Sequence, residues 1–198
     1  MIHFLWMMTN EMRGRAMDMV EALADLEINP DLHSARLLLL LNAFAGEDGT
    51  GEVEGLSKLA KLDFLLRYPV LLQRALAARG KSTRQVKVLD HERNSVESKM
   101  VRFRYGPWDH RYYRLLNVLV AQGLARLTRD GRRVHIGLTG EGIQAARALL
   151  ETDEFEDIAR RARLLKTGVD IQATHLVRFI YETFPEVVSL KINERIEM

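Results

Sequence analysis

The sequence predicts a mainly α-helical protein with a small β-hairpin, arranged as a winged helix-turn-helix with helical N- and C-terminal extensions. A helix beginning at Pro107 and stopping at Gly123 carries apolar side chains at helical spacing. Two alternating segments, 124–128 and 132–138, flank an Asp-Gly turn signal and predict the hairpin. Earlier helices would complete a three-helix core. The inward face of the helix is expected to hold Tyr112, Leu115, Leu116, Leu119 and Val120.

The elements before this module are predicted to be helical. Residues 11–27 have the pattern of a surface helix, and residues 32–45 are apolar nearly all round, as in a buried central helix that ends at Gly46. Residues 47–55 are predicted to form a loop, because they combine an Asp-Gly pair with three glycines. A helix is then expected over 56–68, and Pro69 would start another that runs to about residue 79.

The remaining segments either have weaker secondary-structure signals or follow the hairpin in the chain. Residues 80–94 are polar and basic and are predicted to form a flexible excursion, whereas the pattern of residues 95–103 leaves strand and helix open. After the hairpin, Thr139 is expected to cap a helix that ends near residue 150. Two further helices are predicted, over 155–165 and 173–184, with Pro185 ending the second. The resulting division is a 1–30 extension, a 31–150 winged-helix domain and a 151–198 helical extension.

Composition excludes several classes of protein. The 198 residues are 47% apolar and 28% charged, which is ordinary for a globular chain. The absence of cysteine rules out disulfides, thiol catalysis and cysteine-zinc sites, and it fits a reducing cytoplasm. Residues 1–8 are apolar but too few to cross a bilayer. We therefore expect a cytoplasmic protein with no membrane association.

Charge is unevenly distributed along the chain. The net charge is only +2, but residues 81–135 contain 13 Lys and Arg against 5 Asp and Glu. The two flanking stretches, 1–80 and 136–198, each have three more acidic than basic residues. An excess of this size predicts an electropositive surface in the middle of the chain, suited to phosphates or to an acidic protein.

That surface would consist of the third helix and the hairpin. In a DNA-binding winged helix, the exposed helix face enters the major groove and the wing contacts the adjacent backbone. The charge pattern alone leaves three alternatives open, namely nucleic acid, a protein partner and a solvated basic face. The candidate contacts are Arg111, Arg114 and Asn117 on the helix, Arg129, Arg132 and Arg133 on the wing, and Lys99, Arg102 and Arg104 beside them.

The C-terminal extension offers a second set of basic side chains. Two short amphipathic helices are too short to be stable alone, so they must lie back on the core or dock on a partner. The candidate partner contacts, all expected to be exposed, are Arg160, Arg161, Arg163 and Lys166. For any single one of them, a solvated face is the alternative that the sequence favours.

Signals for enzymatic chemistry are weak. Asp90, Glu97 and Lys99 match the loose spacing of a metal-dependent nuclease, but three common charged residues meet it often by chance. The acidic residues of 47–54 lack the calcium-loop pattern, and the six histidines lack metal-ligand spacing. We predict no catalytic residue, no metal, no cofactor and no small-molecule substrate.

Three stretches resemble a known family: residues 55–76, 95–120 and 164–189. The most specific pieces are RYGPWD at 104–109 and FIYETFPE at 179–186. They are similar to the small middle component of bacterial ABC-three-component systems, which overlap with Lamassu-type anti-phage defence systems. The likeness covers about 150 residues in their general sequence pattern, and it includes no catalytic motif.

The resemblance implies a non-catalytic scaffold or regulatory subunit. Its partners would be an ABC ATPase of the structural-maintenance-of-chromosomes type and an effector, often a nuclease, with DNA contact left open. The small subunit would hold or gate the effector until the ATPase changes state. The alternative hypothesis is a free-standing winged-helix transcriptional regulator, which would form a dimer on a palindromic operator.

Overall fold

The computed structural model of the chain describes residues 30–90, 92, 100–103 and 106–196. The helix expected over residues 11–27 lies outside the described residues. The chain divides into two compact units, Met1–His33 and Ser34–Met198, and the description below concerns the second. That unit is mainly helical with small antiparallel sheets, as the sequence predicts. None of the helices in the described part of the chain has the length and apolarity that a membrane span requires.

Eight α-helices and five strands occur in the described residues. The helices are α1 (Pro30–Ala45), α2 (Gly55–Arg67), α3 (Pro69–Ala78), α4 (Tyr112–Ala121), α5 (Gly140–Leu150), α6 (Glu156–Val169), α7 (Ala173–Thr183) and α8 (Pro185–Ser189), with a 3-10 turn at Asp153–Phe155 before α6. The strands are β1 (Val53–Glu54), β2 (Val101–Phe103), β3 (Gly106–Trp108), β4 (Ala125–Asp130) and β5 (Arg133–Leu138). Every helix predicted within this range is present, with ends that differ by a few residues.

The first sheet joins the hairpin to a strand from the N-terminal half. Its order is β1-β5-β4, all antiparallel, and Val53 lies opposite Ile136. Residues 53–54 were expected to be loop, so β1 corrects that prediction. The hairpin turn also lies one residue later than expected: Asp130 pairs with Arg133, and Gly131 takes the left-handed conformation at φ +56° that a tight hairpin turn requires.

The second sheet corrects the predicted start of α4. Pro107 lies in β3, where it pairs with Arg102 of β2, and α4 begins five residues later at Tyr112. A proline suits both a helix start and a short edge strand, and pairing with β2 selects the strand. The chain's last described residues extend this sheet, since the Arg102 amide donates to the Glu194 carbonyl (2.8 Å).

The core is organised around α2 rather than around α1, which the sequence marked as the central helix. Both helices are largely buried, but α2 is buried continuously from Lys58 to Arg67 and contacts α3, α6, α7, β1, β3 and β5. Helix α2 tolerates this burial because most of its charged side chains find partners inside the protein, as described below.

The C-terminal helices pack onto the same core. Leu165 of α6 and Leu176 and Ile180 of α7 are fully buried, and the rings of Phe184 and Phe64 meet edge to face with centroids 5.9 Å apart. Pro185 ends α7, as predicted, and also begins α8. Residues 151–196 therefore share one hydrophobic core with the preceding elements.

Candidate interaction surfaces

A buried polar network underlies the helix that was expected to make contacts. Asp63 of α2 is fully buried and accepts from Arg36 Nε (2.7 Å), from Arg67 Nε (2.8 Å) and from the Tyr112 hydroxyl (2.7 Å). Burial alone would raise the pKa of Asp63, but the charges of Arg36 and Arg67 outweigh it and lower that pKa to about 2. The network thus ties α1, α2 and α4 together through one carboxylate.

Asp109 extends this network to the beginning of α4. One oxygen, Oδ2, lies 2.8 Å from both Arg67 Nη2 and Arg111 Nη2, while Oδ1 accepts from the Arg111 amide at 2.9 Å. Burial opposes ionisation of Asp109, but the hydrogen bonds from Arg111 and the charge of Arg67 hold its pKa well below the usual range. Arg111, a predicted contact, is therefore paired with an intramolecular carboxylate, which it shares with Arg67.

The outward side of α4 carries both polar and apolar side chains. Arg114 and Asn117 are exposed, and among the described residues the Arg114 guanidinium makes no hydrogen bond or ion pair. Tyr113 is 61% exposed and Val118 is 39% exposed. Val120 was expected to point inward but is 38% exposed, because it lies about 80° around the helix from Tyr112, at the edge of the buried stripe. We call this surface, from Arg111 to Val120, the α4 face.

The hairpin arginines are partly compensated by the segment that leads into α2. Arg126 Nε lies 3.2 Å from Glu52, and Arg133 Nε lies 3.4 Å from Glu54. His135 Nδ1 lies 3.8 Å from Glu52, so this side chain is half-buried rather than open to solvent as the alternation suggested. The hairpin therefore presents fewer free charges than its sequence indicates.

Two arginines at the hairpin tip remain exposed. Arg129 Nε donates to the Gly131 carbonyl of its own turn (2.8 Å), and the Arg132 guanidinium has no partner among the described residues. Leu127 and Val134 are exposed nearby on the strands. Arg102 lies on β2, partly buried, and Lys99 and Arg104 lie outside the described residues.

Arg161 corrects a further prediction. It was expected to be exposed but is 3% exposed, and its guanidinium lies 2.6 Å and 2.7 Å from the two carboxylate oxygens of Glu92. It also donates to the carbonyls of Val86 (3.0 Å) and Lys87 (2.8 Å). These bonds fasten the segment before residue 93 to α6, so this part of the expected flexible excursion is an anchored loop. The fork of the guanidinium explains the burial, because it can satisfy several acceptors at once.

A basic cleft lies between this loop and α6. Its volume is about 720 Å³. Arg84, Lys87 and Arg163 are exposed, and their charged groups have no partner among the described residues. Arg160 is largely buried and pairs with Glu156 (2.9 Å) and with Asp157. We call this the α6 cleft; it is lined by Arg84, Gln85, Lys87, Arg160, Arg163, Leu164 and Thr167.

Lys166, the last predicted contact, lies in a separate ion pair. Its ammonium is 2.7 Å from Asp170, which also pairs with Lys58 at 2.6 Å. Both ammonium groups lie over the ring of Phe44, at 5.1 Å and 5.7 Å from its centroid. Lys166 therefore links α6 to the core and does not line the cleft.

Lys61 was missed by sequence reasoning. It is 1% exposed, and among the described residues its ammonium contacts only the carbonyl (3.2 Å) and the hydroxyl (3.0 Å) of Ser57. Burial lowers the pKa of Lys61 to about 8, with no carboxylate beside it among the described residues. It lies in the wall of a small 260 Å³ pocket together with Trp108 and Tyr113. In the sequence it resembles any lysine of an amphipathic helix.

The comparisons with known proteins identify no relative. No protein-family model, no curated protein and no solved structure matches the chain. Within the described part of the chain, no group of three or more His, Cys, Asp or Glu is placed to hold a metal ion. Function must therefore be argued from the surfaces themselves.

Proposed function

We propose that the chain is a non-catalytic winged-helix subunit that docks on a protein partner through the α4 face and the β4–β5 hairpin. The observation that carries this proposal is the connection of its elements. The order α1-β1-α2, then α4-β4-β5, together with the sheet order β1-β5-β4, supports a winged helix-turn-helix. Residues 68–111 would be an insertion between its second and third helices.

The composition of the α4 face and of the hairpin favours protein over nucleic acid. Arg111, Arg126 and Arg133 are paired with carboxylates of the same chain, so they offer little net charge to phosphates. Tyr113 and Val118 are exposed where a DNA-binding helix would meet polar groove edges. Exposed aromatic and aliphatic residues beside arginines are typical of the core of a protein interface.

The resemblance supplies the proposed partners. In this proposal the chain belongs to a bacterial ABC-three-component defence complex and connects an ABC ATPase of the structural-maintenance-of-chromosomes type to an effector. The two most specific pieces of the resemblance lie at junctions between elements of the fold. RYGPWD leads through β3 to Asp109, which anchors Arg67 and Arg111. FIYETFPE contains the end of α7 and the first residues of α8.

Co-expression with the genomic neighbours tests the proposal. The tagged chain should co-elute with a large ABC-type ATPase in size-exclusion chromatography. The double variant Tyr113→Glu/Val118→Glu should lose that co-elution, because charges would enter the apolar part of the interface. A matched control, Leu150→Glu/Ile192→Glu, changes two exposed apolar residues elsewhere and should co-elute normally.

The two parts of the proposal fail separately. If wild type elutes without any ATPase, the defence-complex assignment is wrong. If both double variants still co-elute, the partner is right but the docking face lies elsewhere.

A second candidate, a free-standing DNA-binding regulator, is favoured by one observation. Arg114, Asn117 and Arg132 are exposed on the α4 face and at the hairpin tip, as groove and wing contacts would require. A regulator should be dimeric and should bind an operator with an affinity that Arg114→Glu/Arg132→Glu abolishes. A monomeric chain whose DNA affinity survives this double variant would exclude the regulator.

A further inference from the structure

The α6 cleft is the part of the described structure where unpaired cations converge most clearly. Arg84 and Lys87 approach from the loop, and Arg163 approaches from α6. Like charges facing one another across a cleft repel unless an anion lies between them. We propose that the α6 cleft binds the phosphodiester backbone of nucleic acid, independently of base sequence. This surface is separate from the α4 face and does not depend on the function proposed above.

The charge of the cleft is not cancelled locally. None of its lining residues is acidic, and only Arg160 is engaged by carboxylates, those of Glu156 and Asp157. Arg84, Lys87 and Arg163 lack carboxylate partners in the part of the chain that the structure describes. Arg160 also donates from Nε to the Gln85 carbonyl (3.0 Å), so its guanidinium is fully engaged. Three cations without a partner among the described residues therefore remain available to phosphate oxygens.

The loop side of the cleft is held in place before any ligand arrives. Buried Arg161 bonds the carbonyls of Val86 and Lys87 and both oxygens of Glu92. Glu92 in turn accepts from the Leu89 amide at 2.9 Å. Lys87 has a φ of +48°, a conformation that non-glycine residues rarely adopt and that these bonds help to maintain. A preorganised site loses less entropy on binding.

The side chains that line the cleft favour the phosphodiester backbone of a nucleic acid over a nucleoside as the ligand. The remaining lining residues are Gln85, Thr167 and Leu164, and no aromatic side chain offers a surface on which a base could stack. The Gln85 side-chain amide can donate to a phosphate oxygen alongside the arginines, whereas the Thr167 hydroxyl already donates to the Arg163 carbonyl (3.1 Å). Contacts of this kind fix a nucleic acid in place without reading its bases, which predicts equal affinity for unrelated sequences.

Fluorescence anisotropy with labelled duplexes of about 20 base pairs, two helical turns, tests the proposal on the full chain. Arg84→Glu/Arg163→Glu should weaken binding at least tenfold and flatten the dependence on salt by about two units of slope. The matched control Arg178→Glu/Lys191→Glu makes the same change in net charge at exposed positions and should weaken binding less than about twofold. Two duplexes of unrelated sequence should bind wild type equally.

Three results would overturn the inference. One is no binding of wild type up to about 100 μM at low salt, the weak end of the non-specific range. Another is equal loss in the cleft variant and its control, which would indicate a diffuse charge effect. The third is full affinity in Arg84→Glu/Arg163→Glu together with loss in Arg114→Glu/Arg132→Glu, which would move the site to the α4 face.

Two further variants keep the result interpretable. If the glutamates impair folding, as judged by circular dichroism, Arg84→Gln/Arg163→Gln removes the positive charges without adding negative ones. This variant should still weaken binding. Tyr113→Glu/Val118→Glu should bind duplex at no less than about half the affinity of wild type, because its two added charges lie outside the cleft. A failure of the protein-docking proposal can then be distinguished from a failure of this one.

Discussion

The α4 face with its hairpin and the α6 cleft are both rich in arginine, but they differ in how those arginines are partnered. On the first surface, Arg111 and Arg133 lie against carboxylates, and apolar side chains are exposed between the charges. In the cleft, Arg84 and Arg163 are exposed with no carboxylate among the lining residues. The first surface suits a protein partner, and the second suits phosphate.

The difference shows that formal charge along a sequence locates an electropositive surface only in part, since Arg84 and Lys87 lie in the basic stretch 81–135 but Arg163 does not. The basic stretch 81–135 is compensated partly from outside itself, because Glu52 and Glu54 reach the hairpin. Arg163, by contrast, comes from a stretch with an acidic excess. Which charges remain free depends on the tertiary fold.

The largest effect is expected from Asp63→Asn, which removes the charge that anchors the α4 face. Arg36 and Arg67 would remain buried near an uncharged amide, so the free energy of unfolding should fall by about 3–5 kcal/mol. Chemical denaturation of both proteins at neutral pH measures this. Glu186→Gln, at the exposed ion pair with Arg74, is the control and should cost about 1 kcal/mol. Equal costs would mean that the network contributes no more than a surface pair.

The same network predicts acid sensitivity. Because folding lowers the pKa of Asp63 from 3.8 to about 2, its ionisation stabilises the fold above about pH 4. That contribution should be lost as the pH falls towards 2, and the loss should be absent in Asp63→Asn. Urea titrations across this pH range, compared between the two proteins, would show the difference.

Arg161→Met should release the loop side of the cleft. The variant removes the hydrogen bonds and charge that Arg161 supplies to Glu92 and to two carbonyls, so the free energy of unfolding should fall by about 2–4 kcal/mol. Limited trypsin digestion should cut after Arg84 and Lys87 much faster than in wild type, because the loop opens more often. Arg163→Met, at an exposed position, should change stability by less than about 0.5 kcal/mol. Unchanged digestion of Arg161→Met would mean that other contacts hold the loop.

Lys61→Met should stabilise the protein. Removing a buried ammonium that has no carboxylate partner in the described part of the chain is expected to raise the free energy of unfolding by about 1–3 kcal/mol at pH 7. In wild type this free energy should rise between pH 8 and 10.5, because folded Lys61 loses its proton before the unfolded form does. Lys61→Met should not show this rise in the free energy of unfolding. A destabilised Lys61→Met would show that the bonds to Ser57 outweigh the cost of burial.

The smallest change in stability is expected from a double variant that tests whether ion pairing distinguishes the two surfaces. Glu52→Gln/Glu54→Gln would free Arg126 and Arg133 from their partners with a stability change below about 1 kcal/mol. If pairing is what separates the two surfaces, DNA affinity at low salt should rise several-fold. Unchanged affinity would mean that intramolecular pairing is not what limits the hairpin.

Local signals in the sequence predict the helices well, because helix formation and capping depend on residues within about one helical turn of each other. Thr139, for example, caps α5 by accepting from the Gly142 amide at 3.0 Å, as the sequence indicates. The features that were missed depend on distant partners. Strand β1 exists because Val53 pairs with Ile136, and Pro107 lies in a strand because β2 pairs with it.

The candidate sites were predictable only in part, for the same reason. The exposure of Arg114 and Asn117 follows from helical periodicity, whereas the burial of Arg161 depends on carbonyls of a loop far away in sequence. The α6 cleft joins Arg84 to Arg163, and no periodic pattern relates these two positions.

Hydrogen–deuterium exchange of the full chain, with and without a mixed-sequence duplex, tests most directly whether the two arginine-rich surfaces have different partners. Slower exchange should appear in residues 84–89 and 160–168, with no change in α4 or in the hairpin. Protection of α4 and the hairpin, with the cleft unchanged, would contradict the assignment of phosphate binding to the cleft and of protein docking to the α4 face.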